Sequence, residues 1–119
     1  MERVRFFRHQ DKEILFVDLA GCVPADVESI IRSLPDVVTA QPLASVRLLA
    51  DFTGAAFNDE TLRVMKESAI FDKPYTKKTA WIGADDFPHI SRKSISDFSR
   101  RDFPIFHDRL EALEWLTKD

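Results

Sequence analysis

The segment Asp51-Phe52-Thr53-Gly54 places a carboxylate, a hydroxyl and a glycine directly after a short apolar run at residues 46–50. Such a run predicts a strand that is buried on both faces of a sheet. Asn58 or Asp59 then supplies the short oxygen side chain that caps the start of a helix. Ligands of open α/β sheets bind where strands end, so this segment, here named the 51–54 turn, is the first candidate site.

Two other predicted strands, at residues 13–19 and 79–83, also end in acidic residues or glycine. The carboxyl ends of neighbouring parallel strands lie at the same edge of a sheet, so the three ends should converge. We name the resulting surface the strand-end rim. Besides the 51–54 turn, its predicted members are the segment 18–21, which contains Asp18, and the residues Gly83, Asp85 and Phe87.

The first part of the chain predicts a hairpin followed by a helix. Residues 4–8 and 13–19 are apolar stretches on either side of a polar segment, which is typical of two antiparallel strands. Pro24 is placed to open a helix, because proline fits the first helical turn. Pro35 is predicted to end or bend that helix, which we expect to stop by about Gln41.

Helices and strands alternate through the rest of the chain. A helix is predicted over residues 88–98, with Ile95 and Phe98 facing the core. Residues 103–106 predict a short edge strand, and a D-x-x-E capping pattern precedes a last helix. The order β-β-α-β-α-β-α-β-α predicts a single α/β domain over residues 1–119, with a mixed, mostly parallel sheet.

Composition narrows the classes of function. A chain of 119 residues with 45% hydrophobic content forms one core. The 17 basic residues are outnumbered by 20 acidic ones, so no nucleic-acid partner is expected. The apolar runs are too short for a transmembrane segment, and the first residues do not look like a signal peptide, so we expect a cytoplasmic protein. The single cysteine, Cys22, is expected to be a buried thiol.

Catalytic chemistry has one candidate arrangement. Asp18 and Asp51 at adjacent strand ends are hard oxygen ligands that suit a divalent cation, which suggests a small metal-dependent hydrolase or phosphoryl-transfer enzyme as the alternative function. His9, His89 and His107 lack the spacing of a zinc site. The sequence also lacks the G-x-S-x-G, G-x-G-x-x-G and P-loop patterns, so we predict no cofactor and no catalytic residue of those classes.

The ten phenylalanines suggest either a ligand pocket or an aromatic core. Four of them are predicted to surround the strand-end rim, where they would form a pocket for a small apolar ligand: Phe52, Phe57, Phe71 and Phe87. The neighbours Phe6 and Phe7 point to opposite faces of their strand, so one needs a cover outside the main core. A helix or a second copy of the chain would provide it, and a homodimer is therefore an open alternative.

A strand, D-F-T-G and a helix, in this order of elements, resemble the STAS domain of sulphate transporters and anti-sigma factor antagonists, where the turn commonly reads D-S-S-G. The hairpin start, the T-A-W-I-G strand and the E-A-L-E-W-L ending are similar to the SpoIIAA-like branch of that superfamily. The resemblance implies a SpoIIAA-like fold and an interaction or switch module. It also implies that Thr53 matches the hydroxyl residue that is phosphorylated in regulatory members.

We therefore expect a non-enzymatic binding or regulatory module that acts through protein partners, with a small apolar or anionic ligand at the strand-end rim. A phosphate on Thr53 would add about 1.5 to 2 negative charges beside Asp51 and repel an acidic partner. The alternative is that Asp51 and Thr53 only organise the turn through hydrogen bonds, as such residues commonly do.

Overall fold

The computed structural model of the protein describes residues 3–85 and 87–118, which contain five strands and four α-helices. The strands are β1 (Val4–His9), β2 (Lys12–Asp18), β3 (Val46–Asp51), β4 (Thr76–Ile82) and β5 (Ile105–Phe106). The helices are α1 (Pro24–Val38), α2 (Asp59–Asp72), α3 (His89–Ser99) and α4 (Arg109–Thr117), and a 3₁₀ turn, Lys73–Tyr75, follows α2. The predicted order of elements is confirmed.

The five strands form one sheet in the order β1-β2-β3-β4-β5. β1 and β2 pair antiparallel as a hairpin, and the other neighbours pair parallel. In this register Asp18 lies opposite Asp51, and Asp51 lies opposite Ile82. The sheet is therefore mixed and mostly parallel, as predicted, and β2, β3 and β4 end at one edge.

Alternation along the strands divides the core between the two faces of the sheet. On one face, side chains such as Val17, Leu48 and Trp81 pack against α1, α2 and α3. On the other, side chains such as Phe16 and Leu49 pack against α4. Three helices thus cover the first face, and one short helix covers the second.

The helix boundaries follow from capping chemistry. α1 begins at Pro24 as expected and contains Pro35, ending at Val38 rather than near Gln41. α2 begins after Asn58, whose Oδ1 accepts a hydrogen bond from the Thr61 backbone N–H at 2.9 Å, so the predicted cap is confirmed.

The short helix α4 is held at its carboxyl end by two cations from the sheet. Arg47 of β3 donates to the carbonyl oxygen of Leu116, and Lys78 Nζ of β4 donates to that of Trp115 at 2.9 Å. The last carbonyls of a helix lack the usual partner one turn ahead, although the N–H of Lys118 also donates to the Trp115 carbonyl at 3.3 Å, and the helix dipole favours cations there. None of the helices in the described part of the chain is both long and apolar enough to cross a bilayer.

Two aromatic predictions are wrong. Phe98 was expected inside beside Ile95, but it is 59% exposed while Ile95 is fully buried. A side chain three residues further along a helix points about 60° away from the first one, so Phe98 does not share the buried direction of Ile95. Its ring instead lies near Lys66 of α2, whose Nζ is 6.0 Å from the ring centroid. Phe71 was expected at the strand-end rim, but it lies near the carboxyl end of α2 and is 55% exposed.

The neighbours Phe6 and Phe7 do point to different faces of the sheet. Phe7 packs edge-on against Phe16, with ring centroids 6.4 Å apart, and the Arg109 guanidinium of α4 lies 5.4 Å from the Phe7 ring centroid. Phe6 remains partly exposed on the other face. The sequence predicted that one of these rings needs a partner outside the main core. That ring is Phe7, and α4 of the same chain packs against it.

Asp72 is a buried carboxyl group at the end of α2. Its Oδ2 accepts a hydrogen bond from Ser68 Oγ at 2.9 Å. Burial raises the pKa of Asp72 above its ordinary value, against the smaller opposing effects of the Ser68 hydrogen bond and the Arg101 guanidinium. The folded protein therefore holds this proton more tightly than the unfolded chain does.

Replacing Asp72 with asparagine is expected to remove a pH-dependent part of the stability. Because the pKa of Asp72 is higher in the folded state, the free energy of unfolding of the wild type should fall as the pH rises from about 4 through the raised pKa. D72N should lack this fall. Denaturant unfolding of both proteins across this range measures the difference, and a difference that does not change with pH would contradict the prediction.

Candidate functional site

The ends of β2, β3 and β4 are joined to one another by backbone hydrogen bonds. The N–H of Leu19 donates to the carbonyl of Asp51 at 2.9 Å, and the N–H of Phe52 donates to that of Ile82 at 2.9 Å. The N–H of Gly21 reaches the Thr53 carbonyl at 2.8 Å. The turns that follow the three strands therefore lie side by side, and the strand-end rim is a continuous surface.

All three glycines of the chain lie just beyond these strand ends. Gly21, Gly54 and Gly83 have φ angles of 69°, 69° and 66°, in the left-handed region that favours glycine. A Cβ on Gly83 would lie 2.1 Å from Thr53 Oγ1 and 2.9 Å from Asp51 Oδ1. The turn after β4 thus packs directly on the 51–54 turn.

Asp51 organises the 51–54 turn through one carboxylate oxygen. Its Oδ1 accepts hydrogen bonds from the Thr53 backbone N–H at 2.9 Å and from Thr53 Oγ1 at 2.7 Å. Thr53 is nonetheless exposed to solvent. The Thr53 hydroxyl is therefore accessible to solvent, although its hydrogen bond to the Asp51 carboxylate fixes its position.

Asp18 performs a similar task at the end of β2. Its Oδ1 accepts a hydrogen bond from the backbone N–H of Ala20 at 3.0 Å and lies 3.6 Å from Arg3 Nη1, which itself donates to the Ala20 carbonyl. Asp18 and Asp51 are neighbours in the sheet, but each carboxylate is bonded to its own turn. In residues 3–85 and 87–118, no three His, Cys, Asp or Glu side chains form a group that could hold a metal ion. This arrangement gives the metal-dependent alternative no support.

Phe52 and Phe87 lie beneath the strand-end rim rather than on it. Their rings are 4% and 7% exposed, and their centroids are 5.7 Å apart. Phe52 also packs against Trp81 at 4.6 Å and Phe57 at 5.7 Å between centroids. These rings pack against one another beneath the turns, so they form the aromatic support of the turns.

The other residues near the strand-end rim differ in exposure. Asp85 is exposed and its Oδ1 lies 3.9 Å from Nδ1 of His107. Cys22 is buried, as predicted, and burial raises the pKa of its thiol, the opposite of what a reactive nucleophile needs. Its carbonyl accepts a hydrogen bond from the N–H of Ala56, which fixes the approach to α2.

Gly21 lies in the segment 18–21 that the sequence places at the strand-end rim, and its N–H is bonded to the Thr53 carbonyl. Sequence reasoning missed Arg3, which connects the first residues of the chain to the turn after Asp18. No local pattern indicates this contact, because it depends on hairpin geometry.

The sequence matches no protein-family model, and no curated protein matches it significantly. Among solved structures, the chain is similar to an uncharacterised protein of the DUF3478 family from Shewanella loihica PV-4, described as having a SpoIIAA-like fold. The TM-score is 0.73, with 20% sequence identity, over 95% of this chain and 91% of that chain. The predicted SpoIIAA-like fold is therefore confirmed.

Proposed function

We propose that this protein is a non-enzymatic regulatory module that binds a protein partner through the strand-end rim, with Thr53 as the point of control. The SpoIIAA-like fold supports this proposal, because the family that the sequence resembles consists of interaction or switch modules. The proposal rests mainly on the surroundings of Thr53. Thr53 is exposed on the rim, yet both its N–H and its hydroxyl are bonded to Asp51.

The strand-end rim is suited to recognition because it is already ordered. Its turns are bonded to one another, and buried rings support them from below. A surface that does not need to be ordered on binding loses less conformational entropy. The carboxylates of Asp18, Asp51 and Asp85 disfavour an acidic partner surface and a small anionic ligand.

Modification of Thr53 would change both the charge and the shape of this surface. Phosphoryl transfer to Oγ1 replaces the hydroxyl proton, so the hydrogen bond to Asp51 Oδ1 is lost. It also places about 1.5 to 2 negative charges against that carboxylate. Thr53 Oγ1 cannot move away from Asp51 toward Gly83, because it already packs on the Gly83 backbone. We infer that the 51–54 turn would move, and that a partner fitted to the unmodified turn would be released.

Replacing Thr53 with glutamate should release the partner. The carboxylate of T53E cannot donate to Asp51 and is repelled by it. With a photoreactive residue at position 85 to capture the partner in cells, we expect recovery of the cross-linked partner to fall about tenfold, equivalent to about 1.4 kcal/mol. Quantitative mass spectrometry of the captured complexes measures this recovery.

Two variants serve as controls for that measurement. T53S keeps the hydroxyl, and T39E makes the same kind of change at an exposed threonine at the carboxyl end of α1. For both variants, the amount of recovered partner should stay within about twofold of the wild-type amount. If folded T53E captures as much partner as the wild type, Thr53 is not a point of control.

A further inference from the structure

A cavity of about 60 Å³ lies on the first face of the sheet, beneath α1, α2 and α3. One end of it borders Phe52 beneath the strand-end rim, and its wall continues along the sheet to Thr79 and the end of α2. Most of the wall is apolar. The principal apolar side chains are Leu34, Leu48, Met65, Trp81, Ile95 and Phe103.

The cavity has one polar end. Asp72 lines it and is only 3% exposed. Its Oδ2 is bonded to Ser68, whereas Oδ1 is buried with no hydrogen-bond partner among the described residues. A buried oxygen without a partner costs about 1 to 3 kcal/mol, so an occupant that donates a hydrogen bond to it would be favoured.

Arg101 completes the polar end. Its Nη1 donates to the Ala69 carbonyl at 2.9 Å, and its Nη2 donates to Thr79 Oγ1 at 2.7 Å. A guanidinium has five N–H donors, so these bonds leave others that can face an acceptor. Asp72 and Arg101 together offer an acceptor and a donor in the wall of the same cavity.

The volume of the cavity and the charges at its polar end determine which kind of molecule fits it. One water molecule needs about 10 to 15 Å³, and benzene fits an apolar cavity of about 150 Å³, so this space suits roughly two to six non-hydrogen atoms. A cluster of waters would find few partners along the apolar wall. The opposite charges of Asp72 and Arg101 favour a neutral molecule, because an ion attracted by one is repelled by the other.

We propose that this cavity is a binding site for a small neutral alcohol, whose hydroxyl donates to Asp72 Oδ1 and accepts from Arg101 while its alkyl group contacts Trp81 and Ile95. Phe52 borders both this cavity and the 51–54 turn, but the proposal does not depend on the partner that we propose to bind at the strand-end rim.

Titration with 2-propanol, followed by NMR of the side-chain methyl groups, tests the site. The methyl signals of the cavity residues Ile95 and Met65 should shift saturably and show intermolecular NOEs to the probe, while those of the exposed Ile90 should not. Shifts that are unsaturable, or that include Ile90 equally, would overturn the proposal. So would a cavity that exchanges NOEs with water alone.

A matched pair of variants tests whether 2-propanol occupies the cavity, and xenon tests whether its polar end contributes to binding. Ala50 lines the cavity and Ala25 is exposed on α1, so A50V should weaken 2-propanol binding about tenfold while A25V changes it less than about twofold. Xenon has no hydroxyl. If xenon binds the wild type and 2-propanol does not, the polar end plays no part and the proposal fails.

Discussion

Replacing Gly83 with alanine is expected to lower the free energy of unfolding by about 3 kcal/mol, because two penalties add. The left-handed backbone at φ 66° disfavours any residue with a Cβ. The new Cβ would also lie 2.1 Å from Thr53 Oγ1 and 2.7 Å from the Thr53 backbone nitrogen. The second of these contacts is with backbone, so it cannot be relieved by turning a flexible side chain.

Gly21 supplies the matched control for Gly83. Its φ of 69° is almost the same, but nothing lies within 4 Å of the position of an added Cβ. G21A should therefore lose only the backbone penalty of about 1 to 2 kcal/mol. Urea unfolding of the wild type and both variants measures the two losses. Equal losses would show that the turn after β4 does not pack on Thr53.

Replacing Phe52 with alanine is expected to cost about 3 to 5 kcal/mol, the range for removing a large buried aromatic side chain. Phe52 is 4% exposed and contacts three other rings, those of Phe57, Trp81 and Phe87. Because Phe52 also lines the cavity of about 60 Å³, the variant enlarges that cavity beneath the 51–54 turn, so the turn should also lose order. Denaturant unfolding gives the stability.

Phe98 is the control for the loss of an aromatic ring. It is 59% exposed on α3, so F98A should change the free energy of unfolding by no more than about 0.5 kcal/mol. A large loss for F98A with a small loss for F52A would mean that the aromatic core does not lie under the strand-end rim.

The order of elements was predictable because each element carries its own local pattern. Pro24 and Asn58 mark the starts of α1 and α2, and the apolar runs before Asp51 and Gly83 mark buried strands. Parallel pairing then brings the strand ends together without further information. The proximity of the turns that contain Asp18, Thr53 and Gly83 follows from this order.

The errors arose where one helix meets another. Helical spacing places Phe98 near the edge of a buried stripe, but only the packing of α3 on α2 decides whether that edge is covered. The same limit applies to the cavity. Asp72 and Arg101 are far apart in sequence, so no local pattern predicts that they share a wall.

The aromatic residues left two alternatives open for a different reason. Phe52, Phe57 and Phe87 converge beneath the strand-end rim, but a sequence does not tell whether converging rings surround a pocket or pack together as core. The centroid distances show that these three rings pack against one another, which is the aromatic-core alternative.

Photo-cross-linking tests most directly whether a protein partner binds the strand-end rim. A photoreactive residue at exposed Asp85, on the rim, is compared with one at Leu43, which is 69% exposed in the connection that enters β3 at its opposite end. The proposal predicts a defined cross-linked protein from position 85 and none from position 43. A cross-link from position 43 alone would contradict it.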